Sequence, residues 1–251
     1  MKLEDYVGNQ ISQFNKNLKI AVDKADVDAI HDLRVSLKKL FVLHKVVKQH
    51  FPHSVKQYSS SYKLVRTFFK KTGGIRDYQI ADSLATQWLN NTEQTIFYQY
   101  SEEKIIDALN QLVQHYNSVD VNNVEQSFKD SYKQISDKYL FELRDYLLSY
   151  IEGNAQRINK ILLSEDSNYH KVRSLIKEQY YVQVQLRQII GLSINPKILE
   201  KKNRQGKLLG QWHDLQMFKK LLAKADIDLR VEVSTNLQKK EALLLSEAGM
   251  L

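Results

Sequence analysis

Two motifs recur in this chain in the same order and at nearly the same offset, which constrains its fold more than any composition figure does. His31-x-x-Arg34-x-x-x-Lys38 is matched by His170-x-x-Arg173-x-x-x-Lys177, 139 residues later. Gly73-Gly74-Ile75-Arg76-Asp77-Tyr78-Gln79-Ile80 is matched by Gly210-Gln211-Trp212-His213-Asp214-Leu215-Gln216-Met217, 137 residues later. Both later segments read Gly-x-x-x-Asp-x-Gln followed by an apolar residue. Such a repeat implies that one structural unit has been duplicated, with halves related by a pseudo-twofold axis.

The unit is helical. Only 8 glycines and 2 prolines occur in 251 residues, too few turn formers for an all-β fold. Apolar spacing predicts helices over about 3–22, 27–50, 54–71, 75–90 and 93–117. After a polar stretch at Asp120–Asn123 it predicts 124–163, 168–191, 196–208, 211–225 and 235–247. The 124–163 span is long for one helix and is expected to break inside. Asp26 and Ser54 read as N-caps, with Pro52 just before the latter. Gly73-Gly74 and Gly191 read as helix ends, and Pro196 as a first turn. No linker is long enough to force independent domains. The reading is one unit over 1–251, with a first repeat over about 1–117 and a second over about 124–251.

Charge follows the repeat. From His31 to Arg76 there are 11 Lys/Arg against one acid, Asp32. From His170 to Lys224 there are 12 against three, whereas Thr92–Tyr169 holds 7 against 13. Two basic blocks therefore flank an acidic one, and if they meet in space they build one concentrated positive field.

At about 100° per residue, Arg34, Lys38 and Lys45 fall within roughly 60° of His31 on one side of a helix. Leu33, Leu37, Leu40 and Val47 lie opposite. The second copy has His170, Arg173 and Lys177 on its ridge and Val172, Ile176, Leu186 and Ile190 on its seam. Lys63, Arg66 and Lys70 form a third ridge, with Lys207 and Asn203 at the places of Lys70 and Arg66 in the second half. Stacked like charges repel by a few tenths of a kcal/mol per pair. A basic ridge is most often a solvated face, but two matching ridges that each open on histidine point to an external anion that relieves the repulsion. Cations one turn apart suit a linear polyanion better than a compact nucleotide.

At these residues the chain resembles the conserved histidine α-helical domain family, CHAD. The resemblance rests on His31-Asp-Leu-Arg34-Val-Ser-Leu-Lys38-Lys39-Leu, His170-Lys-Val-Arg173-Ser-Leu-Ile-Lys177, Gly74-Ile-Arg76-Asp77 and Leu209-Gly210-Gln-Trp-His-Asp214, and spans roughly 1–225. It implies an all-α fold of two four-helix units about a pseudo-twofold, with a basic central groove or pore. It further implies non-catalytic binding of inorganic polyphosphate. Matching positions imply contacts from His31, Arg34, Lys38, His170, Arg173 and Lys177, then from Lys39, Lys45, Lys63, Arg66, Lys70, Arg76 and Lys207. The chain departs from the family where Lys38-Lys39 replaces an arginine pair, and where Phe41 and Tyr180 stand in place of further arginines. Lysine cannot fork onto two phosphate oxygens as arginine does.

Other readings are weaker. A nucleic-acid binder would also like basic ridges, but no groove-reading motif or aromatic platform is evident. An enzyme of phosphate-ester metabolism would need a carboxylate cluster for Mg²⁺, which the basic blocks lack. An accessory or scaffold protein that meets polyphosphate granules or polyphosphate-metabolising enzymes is compatible with polyphosphate binding. His44, His50 and His53 share no helical face, so no metal site and no cofactor are expected. Asp77 and Asp214 read as capping or bracing groups at helix starts rather than as a catalytic pair. Without cysteine there are no disulfides or thiolate sites. With no apolar leader and no run of 18 apolar residues, a soluble cytoplasmic protein is expected.

Overall fold

The computed structural model describes residues 1–53, 59–121, 123–136, 139–164 and 168–250. Among them lie nine long helices: α1 Leu3–Lys24, α2 Val27–His50, α3 Ser59–Trp88, α4 Asn91–Asn117, α5 Val124–Ser136, α6 Leu140–Leu162, α7 Tyr169–Ile189, α8 Pro196–Lys224 and α9 Val231–Glu247. No strand occurs among the described residues. No helix there is long and apolar enough to cross a membrane.

The ends follow local chemistry. α1 stops at Ala25, whose φ of 52° is left-handed, and Asp26 then caps α2 by accepting from the Ala29 amide at 2.7 Å. Asn90 and Glu93 form a reciprocal capping box at the start of α4. Asn195 caps α8 with Pro196 in its first turn, as expected. Gly191, at φ +71°, carries the chain away from α7. The break expected inside 124–163 falls between Ser136 and Leu140. The Ser54 cap lies outside the described residues.

Two expected helix ends are absent. α3 runs unbroken for 30 residues through Gly73-Gly74, and α8 for 29 residues through Gly210. At Gly73 the reason is close approach: a Cβ there would stand 3.3 Å from Arg34 Nη1. Asp77 and Asp214 consequently sit mid-helix and cap nothing.

The helices that carry matching motifs pack on each other, α2 on α7 and α3 on α8, while α2–α3 and α7–α8 contacts link the pairs. α1 and α6 flank α2 and α7, and α4 and α9 flank α3 and α8. Among the described residues the second half carries five helices, where the family resemblance implied four. The extra one, α5, buries Val124, Phe128, Tyr132 and Ile135 in the core that α1 lines with Leu3, Tyr6, Ile11 and Phe14. A second cluster gathers Val172, Ile176, Trp212, Leu215 and Leu237 around α7, α8 and α9. Phe97 and Phe218, edge to face at 5.9 Å, join α4 to α8 in a third.

Candidate functional site

Four half-buried cations converge where α2, α3, α7 and α8 meet. Arg34 and Lys38 come from α2, and Arg173 and Lys177 from α7. The Leu33–Leu37–Leu40 and Val172–Ile176 seams fix both helices in the core, so the opposite ridges cannot turn away from each other. Gln185, buried on α7, donates to the Lys39 carbonyl of α2 at 2.8 Å and sets their register.

The electrostatics are those of crowded like charges. Lys38 is pushed down to about 7, first by burial and then by Arg34, Lys177 and Arg173. Lys177 is lowered by burial and by Arg173. Two carboxylates lie within electrostatic reach, Asp77 on α3 and Asp214 on α8. Burial raises Asp77, and Arg34 works against that rise. Yet among the described residues neither forms an ion pair with any of the four cations. The aspartates act on the cluster through space, without pairing with it.

The two arginines are held differently. Arg34 donates from Nη1 to the Phe69 carbonyl at 2.6 Å and to Thr72 Oγ1 at 3.4 Å, and its guanidinium lies 4.2 Å from the Phe69 ring centroid. Arg173 has no such tie, and its Nε is buried without a hydrogen-bond partner. At Gly210, the counterpart of Gly73, a Cβ would meet nothing within 4 Å.

The histidines stand at the exposed start of each ridge. His31 is lowered by burial and then by Arg76, and His170 by burial and then by His213. Both are therefore held toward the neutral form at neutral pH. Arg76 faces His31 from α3, and Lys207 reaches Lys177 from α8.

The remaining candidates separate. Lys45, Arg66 and Lys70 line a cleft of about 600 Å³ between α2 and α3, together with Phe41, His44, Lys48, Tyr62, Phe69 and Glu178. Lys45 pairs there with Glu178 at 3.1 Å, while Tyr150 donates to the same carboxylate. Burial lowers Lys45, but those bonds outweigh it and hold the lysine above its usual value. Lys39 is lowered by burial and answers to Asp32 rather than to the cluster. Lys63 is exposed and lines no part of the cleft.

Lys48 and Lys202 were not singled out by the sequence. Lys48 follows Lys45 on α2, to one side of the ridge and beyond the repeated motif. Lys202 shares a pocket of about 40 Å³ with Lys177, Tyr180, Tyr181, Asn203 and Gly206, and its first-half counterpart is the buried Val65, so the repeat could not flag it. His44 and His50 stack on Tyr62 and Tyr146 at 3.7 and 3.6 Å. No group of three His, Asp or Glu among the described residues is placed to hold a metal ion.

Against known proteins, the family model described as CHAD domain matches residues 5–223. None of the curated proteins compared with the chain matches it. The crystal structure of the CHAD domain from the plant Ricinus communis superposes with a TM-score of 0.70 at 14% identity, covering 100% of this chain and 88% of that one. At that identity the likeness concerns the fold alone.

Proposed function

The chain belongs to the CHAD family, and from that premise we propose that it binds inorganic polyphosphate without catalysing a reaction. The observation that carries this reading is the cluster of Arg34, Lys38, Arg173 and Lys177, half-buried, contributed by both copies of the repeat and free of carboxylate ion pairs among the described residues. Half-buried like charges without counter-ions destabilise the folded chain. A linear anion threaded between α2 and α7 would relieve that cost. His31 with Arg76, and His170 with Lys220, whose charge reaches it from α8, would meet the anion where it leaves the cluster, and Lys207 would extend the path along α8. The exposed Lys63, Arg66 and Lys70 offer a second extension along α3, and Lys39 and Lys45 contribute least, being tied to Asp32 and Glu178.

Granules of polyphosphate, or enzymes that carry it, are the partners this reading implies, and a nucleic acid is the rival ligand. The deciding experiment is competition at fixed salt. Labelled long-chain polyphosphate is bound to the protein and challenged with unlabelled polyphosphate, single-stranded DNA, RNA and free phosphate. The reading expects displacement by polyphosphate alone at matched charge concentration. Equal displacement by DNA or RNA would replace it with nucleic-acid binding.

A further inference from the structure

The α2–α3 cleft holds more than the cations a polyanion could use. Its floor is aromatic: Phe41, Tyr62 and Phe69 pack edge to face at 5.2–5.5 Å, and His44 stacks on Tyr62. Its rim carries Lys48, Arg66 and Lys70, exposed and with no acidic partner among the described residues. Its one carboxylate, Glu178, is already occupied by Lys45 and Tyr150. At about 600 Å³ it falls in the size range of small-molecule sites.

The repeat supplies an internal control. At the same places in the second half, Phe41, His44, Tyr62 and Phe69 become Tyr180, Gln183, Leu199 and Gly206, while Arg66 becomes Asn203. There the Lys177 stem lies 3.5 Å from the Cβ position of Gly206, and the residual space is about 40 Å³. An open cleft is thus not forced by packing this helix pair. Of the two described pockets, the larger is the one with both the aromatic floor and the rim arginine.

We propose that the cleft between α2 and α3 binds a nucleoside oligophosphate, its base against the Phe41–Tyr62–Phe69 floor and its phosphates on Lys48, Arg66 and Lys70. A flat heteroaromatic ring uses the floor, and several negative charges on a short tail use the rim. The inference does not depend on polyphosphate binding, because the floor has no use for a chain of bare phosphates.

The test is calorimetric titration of the intact protein with ATP and with inorganic tripolyphosphate, both without divalent cations. Tripolyphosphate carries at least as much charge as ATP, so a purely electrostatic site prefers it. The cleft binds ATP about tenfold tighter instead, equivalent to about 1.4 kcal/mol. Tyr62→Leu, which installs the second-half residue, removes that preference and leaves tripolyphosphate affinity unchanged. Lys48→Ser with Arg66→Ser, both on the surface and harmless to folding, weakens ATP at least tenfold. An ATP affinity that Tyr62→Leu leaves unchanged overturns the proposal, as does one that survives Lys48→Ser with Arg66→Ser. Polyphosphate binding at the central cluster can fail while this result stands, and the reverse.

Discussion

Arg34 and Arg173 occupy matching places on α2 and α7, and only one of them is tied down. Arg34 spends its guanidinium on a backbone carbonyl and an aromatic face of α3, where Gly73 leaves room for it. Arg173 meets α8 without an equivalent bond. The same division runs through the surrounding residues, since the first half keeps an aromatic cleft and the second half fills the equivalent space with the Lys177 stem. A duplicated motif thus fixes where cations are delivered. Their neighbours, contributed by the partner helix, decide which cation is tied to the fold and which is left without a hydrogen-bond partner.

The comparison is most exposed to the charge at its centre. With about seven phosphate contacts and a slope near −0.7 per contact, polyphosphate affinity should fall roughly 10³-fold between 50 and 200 mM salt. Replacing Lys38 and Lys177 together by alanine should flatten that slope by about 1.4, measured by titration at several salt concentrations. An unchanged slope would mean that the cluster does not touch the anion.

Separating the arginines comes next. Arg34→Ala removes a charged, half-buried hydrogen bond and should cost about 2 kcal/mol of stability in urea unfolding. Arg173→Ala should leave stability unchanged or raised and weaken polyphosphate about tenfold, about 1.4 kcal/mol. If both variants lose stability alike, the two halves are equivalent braces.

Protons probe the same cluster. Lys38 is pushed down to about 7, whereas in the unfolded chain it keeps its ordinary value of 10.5. Between those values the unfolded chain binds the extra proton, so stability rises with pH. Without polyanion, Tm at pH 9 should exceed Tm at pH 7 by on the order of 5 °C, and Lys38→Met should raise Tm at pH 7 and remove the difference. The histidines act in the opposite direction and on binding. Free His31 and His170 are held below 6.5, and a bound anion would raise both. Affinity should therefore strengthen as pH falls through the raised bound-state values, and level off below the free-state ones. A flat profile from pH 8 to 5, measured with long-chain polyphosphate, would leave them as neutral hydrogen-bonding groups.

The smallest expected difference is at the glycines. Gly210→Ala should gain up to about 1 kcal/mol from helix propensity, because nothing stands in the way of its Cβ. Gly73→Ala should gain less or lose, since Arg34 Nη1 must give way. Equal gains in thermal unfolding would remove the close approach as the reason for Gly73.

Much of this was written locally. The i, i+3, i+4 seam of α2 and its Asp26 cap need only neighbours in sequence, and both ends of α2 fall where the spacing places them. Gly73-Gly74 shows what local reading lacks. A glycine that ends a helix and one that admits a side chain from another helix have the same signal, and the second case depends on Arg34, 39 residues earlier. The outlier in the candidate site has the same cause. Lys45 sits on the ridge as expected, but its counter-ion, Glu178, is 133 residues away.

The sequence by itself settled that the chain is helical, that two motifs recur in it at nearly one offset, and which face of each motif-bearing helix carries the charge, because those follow from residue type and a period of about 3.6. Only the tertiary structure decided which of those charges stay without an ion pair, that Lys38 is depressed, and which half holds the larger cleft. Burial and Coulomb energy depend on distances between residues far apart in the chain, and a periodic pattern holds no information about them.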